Sequence, residues 1–391
     1  MLYHKYKVIK MRAIINGKIV LENSVLENGC IIFDDKIQQI GTDLKVDGCD
    51  VIDAKNNFVM PGFIDIHIHG YKGFDVSDAD ENGIIEISKQ IAKNGVTSWC
   101  PTTMTVEKSV IQKSLDIIKR LINSDKTGAK ILGANVEGPF INPIKKGAQS
   151  EKYILKPDKN FILKNNDAIK LVTLAPEMDE NFEFIKEVSQ KTGIAVSIGH
   201  TTADYKTSSA AVKCGARHIT HLFNAMPPLN HRETGVVGAA LENDSVTCEI
   251  IADTFHISPS LFIPLHRIKG DNLILITDCM RAGGMEDGEY TLGGQSVTVK
   301  GIECRLSDGT IAGSILTLNK AVKNFYKITK LPIYEVVKKA SLSPAKAVGE
   351  DKLRGSLAVG KAADIVVADE KIDIKRTIIS GNDIYEKTQG I

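Results

Sequence analysis

Residues 63–70 read FIDIHIHG: an apolar run that carries two imidazoles one residue apart and closes on a glycine. Side chains alternate in direction along an extended strand, so His67 and His69 share one face and can reach one ion. Two roles fit this stretch alone. The histidines are metal ligands at the end of a strand, or they are polar strand-end residues whose rings bond backbone carbonyls. The rest of the chain has to decide between them.

Working outward, the stretch is the first of a series. Further strand-like runs are TSWCPTTM (97–104), AKILGANVEG (129–138), IKLVTLAPE (169–177), GIAVSIGH (193–200), HITHLFNA (218–225), TCEIIAD (247–253) and NLILITD (272–278). Between them, IEISKQIAKNG (85–95), VIQKSLDIIKRLIN (110–123) and NFEFIKEVSQKTG (181–193) space apolar residues three and four apart, as helices do. Eight strands alternating with helices predict a closed (β/α)8 TIM barrel over 61–345; a doubly wound sheet usually halts near six strands. His67, His69, Glu137, Glu177, His200, His221, Asp253 and Asp278 all fall at or just past strand ends, which in a barrel converge on one face. Packing alone does not explain so many ionisable groups there, because each costs several kcal/mol to bury unless paired or coordinated. His218, three residues before His221, is predicted to face the other way, toward a helix or solvent. His4, His231 and His266 have no strand-end context.

The two chain ends read differently. AIINGKIV (13–20), GCIIFDDKIQQIG (29–41) and VIDA (51–54) are short strands punctuated by turn signals, and GSLAVGKAADIVVAD (355–369) and KRTIISGNDIY (375–385) repeat the pattern. Each set is too small to bury much alone. The ends are therefore predicted to form one small discontinuous β-sandwich domain from 1–60 and 346–391, with the barrel inserted between them.

Composition removes other classes. The chain has 391 residues, and 49 Lys and Arg against 48 Asp and Glu leave a formal charge of +1, so neither a nucleic-acid footprint nor an acidic tail is expected. Seven cysteines, odd in number and without a CxxC pair, predict reduced thiols. The opening MLYHKYKVIKMRAIINGKIV does not have the form of a signal peptide, and no apolar run approaches the roughly 20 residues that cross a bilayer. The expected compartment is the cytoplasm.

Glu137 in ANVEGPF and Asp278 in LILITD add carboxylates to the histidines, a mixed N/O set suited to zinc or ferrous iron. A plainer role is open to each carboxylate: Glu137 as the partner of Lys145 or Lys146, and Asp278 as the cap of a following helix.

The blocks FIDIHIHG, NVEGPFINPIKKGA, SIGHTTADY, THLFNAMPPLNHRETGVVG, IADTFH, ITDCMRAGGMEDGEY, IAGSILTLNKAV and the tail SLSPAKAVGEDKLRGSLAVGKAADIVVAD resemble the N-acetylglucosamine-6-phosphate deacetylases of the amidohydrolase superfamily, in order and over nearly the whole chain. The resemblance implies hydrolysis of N-acetyl-D-glucosamine 6-phosphate, or of a related amide such as the galactosamine epimer. It implies a divalent metal (zinc or iron, with manganese and cobalt as alternatives) held by Glu137, His200 and His221, with Asp278 beside it as general base and then acid. His67 and His69 would hold a second ion bridged by Glu137. Asn224, the Ala225 N–H and an Arg232 contributed by the neighbouring subunit of a homodimer would bind the 6-phosphate, and His256 the sugar. One position departs from the pattern: Gln149 stands in KKGAQ where the family usually has histidine, and is expected at the substrate.

Overall fold

The structure, a computed structural model, describes residues 11–122 and 124–387. The opening segment with His4, Asn123 at the end of the helix predicted over 110–123, and residues 388–391 of the expected terminal domain lie outside the described residues.

Eight parallel strands form the barrel: β1 (Phe63–Ile68), β2 (Val96–Thr103), β3 (Ala134–Glu137), β4 (Ile169–Leu174), β5 (Ala195–Ile198), β6 (His218–Ile219), β7 (Thr247–Ile251) and β8 (Leu273–Ile276). Each pairs with the next in chain order. The ring closes where Ile68 bridges Cys279 and the Asp278 N–H donates to the His67 carbonyl at 2.9 Å. Helices cover the outside, so the strands are buried on both faces and read as near-continuous apolar runs, such as LILI in β8. β6 is shorter than the predicted 218–225, because the chain turns at Thr220 and leaves the strand direction before His221.

The helix Glu81–Ala92 shows how the covering layer is specified. The Asp80 side chain accepts from the N–H groups of Asn82 and Gly83, satisfying donors that the first turn leaves free. Ile84, Ile87 and Ile91 then recur at three and four residues and are buried in the core that β1 and β2 share. Each contributes about 1.5–3 kcal/mol by leaving water, and Ile87→Ala would open a void at the centre of this face.

Both chain ends enter one sheet. Arg12–Val20 pairs with Val25–Phe33 on one side and with Asp50–Asp53 and Phe58–Pro61 on the other. Phe58–Pro61 then pairs antiparallel with Ile365–Ala368, Val59 opposite Val367. Ile14, Phe33, Val59, Ile365 and Ile378 form its apolar core. A further three-stranded sheet, Gly288–Leu292, Gln295–Lys300 and Glu303–Leu306, follows β8 and was not read from the sequence. Its Leu292, Val297 and Val299 pack with Met104, Ala148 and Met280, so it forms a wall over the end of the barrel.

Candidate active site

Strand ends bring the ionisable residues to a cavity of about 250 Å³ whose lining includes His69, Glu137, His200, His221, His256 and Asp278. Glu137, the last residue of β3, is the hub. Its Oε1 lies 3.0 Å from His221 Nε2, 3.1 Å from His200 Nε2 and 3.3 Å from His67 Nε2; its Oε2 lies 3.2 Å from His69 Nε2. Asp278 Oδ1 is 3.2 Å from His69 Nε2 and 3.6 Å from His67 Nε2. All six residues are buried.

Backbone geometry at three of them is costly. His200, His221 and Asp278 have φ of 50°, 28° and 50°, in the left-handed region that side chains with a Cβ avoid. Such positions cost on the order of 1–3 kcal/mol each and persist only where the surroundings impose them. At Asp278 the imposition is visible: its N–H bonds His67 O, and its carbonyl accepts from the Ser314 N–H at 2.8 Å.

The donor set fits a divalent cation. His67, His69 and Glu137 form one group of possible ligands, and Glu137, His200 and His221 another. Tetrahedral zinc with arms of about 2.0–2.1 Å separates its ligand atoms by roughly 3.3 Å, close to the spacings here. His67 Nε2 is buried without a hydrogen-bond partner, and the Nε2 atoms of His200 and His221 face each other at 3.1 Å. Three of the other ring nitrogens are engaged from behind, while His221 Nδ1 is buried without a partner: His67 Nδ1 by Glu249 Oε2 at 2.9 Å, His69 Nδ1 by Thr102 O at 3.2 Å and His200 Nδ1 by Lys145 O at 2.9 Å. That is how metal-binding histidines are normally oriented. The carbonyl contacts expected of plain strand-end histidines are thus present, but on the outer nitrogens.

The same arrangement sets the electrostatics. Burial works against ionising Glu137, yet the His67 and His200 charges hold it well below the usual carboxylate range. Burial lowers His69, but hydrogen bonds to Asp278 and Glu137 outweigh it and raise the ring to about 10. His67 is likewise raised despite burial, by the charges of Glu249 and Glu137. Asp278, penalised by burial, is lowered overall by its His69 hydrogen bond and the His67 charge. The cluster strongly favours positive charge at its centre.

Among the remaining sequence-derived candidates, Asn224, Ala225, His256 and Gln149 line the cavity. Asp253 Oδ2 accepts from His256 Nδ1 at 2.6 Å. Both ends of the Gln149 amide are engaged within the protein: Nε2 donates to Glu137 Oε2 at 2.7 Å, and Oε1 accepts from the Thr105 N–H at 2.6 Å. Arg232 lies on an exposed stretch and does not line the cavity of its own chain. Neither of the plainer roles for the carboxylates holds. Glu137 meets histidines and Gln149 in place of Lys145 or Lys146, and no helix follows Asp278 directly. Glu177 bonds Asn142, Thr201 and Thr202 outside the cluster.

His218 corrects an expectation. It is buried, with Nε2 3.0 Å from Glu249 Oε1, and does not face solvent. The sequence reading also passed over Glu249 itself. Its signal was one acidic residue inside the apolar run TCEIIAD.

A closed parallel barrel with a histidine–carboxylate cluster at its strand ends is the architecture of metal-dependent hydrolases, and residues 58–384 match the model of the amidohydrolase family, to which the chain belongs. It is 40% identical over 375 residues to the N-acetylglucosamine-6-phosphate deacetylase of Bacillus subtilis (strain 168), covering 93% of this chain and 94% of that one. The crystal structure of N-acetylglucosamine-6-phosphate deacetylase from Pasteurella multocida matches with a TM-score of 0.90 at 31% identity, over 96% of this chain and 100% of that one. Within the family, these likenesses place the chain among the N-acetylglucosamine-6-phosphate deacetylases. The N-acetylgalactosamine-6-phosphate deacetylase of Escherichia coli O157:H7 is 34% identical over 336 residues, covering 85% of this chain and 89% of the relative.

Proposed function

We propose that the chain hydrolyses N-acetyl-D-glucosamine 6-phosphate to D-glucosamine 6-phosphate and acetate, in amino-sugar breakdown or recycling. The observation that carries this reading is the Asp278 carboxylate, 3.2 Å from His69 Nε2, opening with His256 and Asn224 onto the cavity of the Glu137 cluster. Glu137, His200 and His221 would hold a divalent cation, and His67 and His69 a second one, which when bound would lower the pKa of water and polarise the acetamide oxygen. Zinc and iron suit this donor set best, and manganese and cobalt also accept it.

The chain's own residues manage protons and position. Asp278, lowered by its histidine neighbours, is ionised near neutrality and can take a proton from the attacking water. As the C–O bond forms and the C–N bond breaks, the departing nitrogen needs a proton, because an amide anion is a very poor leaving group. Asp278 returns the one it took. Asp253 fixes the His256 ring through Nδ1, which leaves Nε2 for the acetamide or a sugar hydroxyl. Gln149 keeps Glu137 Oε2 oriented without adding charge. Asn224 and the Ala225 N–H, which line the cavity, take the 6-phosphate in this reading, and its remote binding fixes the reacting amide. Arg232 completes the phosphate site from a second subunit, which its exposure away from its own cavity permits; guanidinium suits two phosphate oxygens. The working unit is then a homodimer, in the cytoplasm. No helix among the described residues is long and apolar enough to cross a membrane.

Acetate release tests the reading, with N-acetylglucosamine 6-phosphate, its galactosamine epimer and unphosphorylated N-acetylglucosamine as substrates and metal measured in the same sample. Turnover should require phosphate and favour the glucosamine epimer. The galactosamine relative motivates the second arm, and a preference for that epimer would transfer the assignment to it. Metal-loaded protein that releases no acetate from either phosphate would sink both.

A further inference from the structure

Glu249, in β7, is fully buried beside the cluster and has no place in the proton chemistry above. Its Oε2 faces His67 Nδ1 at 2.9 Å and the His221 backbone N–H at 3.0 Å, and its Oε1 faces His218 Nε2 at 3.0 Å. An ionised carboxylate only accepts hydrogen bonds. Each facing nitrogen therefore carries a hydrogen, His67 Nδ1 included, which makes His67 Nε2 the coordinating nitrogen. That atom is the one found buried, unpartnered and 3.3 Å from Glu137 Oε1. Packing does not explain a carboxylate here, since an apolar side chain of similar size avoids the cost of burying charge.

We propose that Glu249, steadied by His218, is a positioning residue. It holds His67 with Nδ1–H outward and Nε2 toward the ion shared with His69 and Glu137. Through the His221 N–H it also ties this half of the centre to the half formed by Glu137, His200 and His221. The proposal rests on the metal-centre reading above.

Two variants separate positioning from packing and from charge. Glu249→Met strands three donors and should weaken zinc binding, measured by competition with a chromophoric chelator, by about 10–100-fold. Glu249→Gln should retain zinc more tightly than Glu249→Met, because its amide oxygen can still accept from His67 and His221 while its NH2 faces His218. Wild-type zinc affinity in Glu249→Met overturns the proposal. Equal weakening in both variants also overturns it, since charge or packing would then be the cause. If Glu249→Met does not fold, a second measurement decides. In zinc-loaded protein with 15N-labelled histidine, long-range 1H–15N spectra should show His67 protonated at Nδ1 and coordinated through Nε2, assigned by its loss in His67→Gln; the reverse pattern overturns the proposal. Wild-type protein that takes up no zinc would sink the metal-centre reading and this proposal together, whereas normal wild-type binding with unaffected variants sinks only the latter.

Discussion

The rim of the barrel and the sheet built from the chain ends follow opposite rules. The terminal sheet buries Ile14, Ile19, Ile31, Phe33 and Val59 against one another, and sets charges such as Asp383 on its outermost strand, Asn382–Glu386. The rim buries His67, His69, Glu137, His200, His221, Glu249 and Asp278 within a few ångströms, three of them on strained backbone. The first arrangement is what stability alone would select. The second is tolerable only because the rest of the molecule holds it and because an ion can neutralise it. Stability and chemistry therefore sit in different regions, and changes in one should leave the other largely alone.

The largest expected separation comes from Asp278→Asn. The shape is kept and the proton acceptor is lost, so kcat should fall by about 10²–10⁴-fold, with zinc content and thermal midpoint near those of the parent. Near-normal turnover at full metal occupancy would remove Asp278 from the mechanism. Phe33→Ala is the mirror case in the terminal sheet. Phe33 is fully buried, and its truncation should cost about 3–5 kcal/mol in chemical denaturation while kcat per folded molecule stays at the parental value. A fall in kcat would show that the two regions are coupled.

A pH series sharpens the contrast at smaller scale. In chelator-treated protein His69 is raised to about 10 by Asp278 and Glu137, against burial. A group raised on folding contributes stability fully below its unfolded value, near 6.5, and loses it as pH climbs through the folded value. Chelated protein should lose stability between about pH 6.5 and 10, by up to roughly 1.4 kcal/mol per unit for this group. In zinc-loaded protein an ion takes the proton's place and this decline should be absent. Equal pH slopes in the two forms would argue against His69 as a ligand.

How much of this was readable from the sequence follows from the same division. Strand ends were legible because parallel strands buried on both faces leave long apolar runs, and a polar residue that ends one stands out, as Glu137 and Asp278 do. Alternation put His67 and His69 on one face correctly. The same rule failed at His218 because it assumes an extended chain as far as His221, and β6 lasts only to Ile219 before turning. Glu249 and Gln149 contact other side chains of the cluster, His67 and Glu137, and such contacts leave no spacing to read. The sheet after β8 did have a signal, Gly293-Gly294 between Leu292 and Gln295, with alternation in SVTVK, but it lay outside the barrel repeat that organised the rest.

The smallest expected effect tests whether the terminal sheet depends on charge at all. Asp383 joins the strand Asn382–Glu386 to the start of the chain: Oδ2 accepts from Arg12 Nη2 at 2.6 Å and Oδ1 from Arg376 Nη1 at 2.9 Å. The carboxylate is about one-third exposed (35%), while Arg12 is mostly covered (13%). Water screens such a pair, and exposed ion pairs typically contribute about 0.2–1 kcal/mol. Asp383→Ala should therefore shift the denaturation midpoint only slightly, by less in 1 M salt than at low ionic strength, and leave acetate release unchanged. A cost of several kcal/mol would mean that the sheet also relies on a charge network, and the division between a rim that buries charge and an edge that merely displays it would no longer hold.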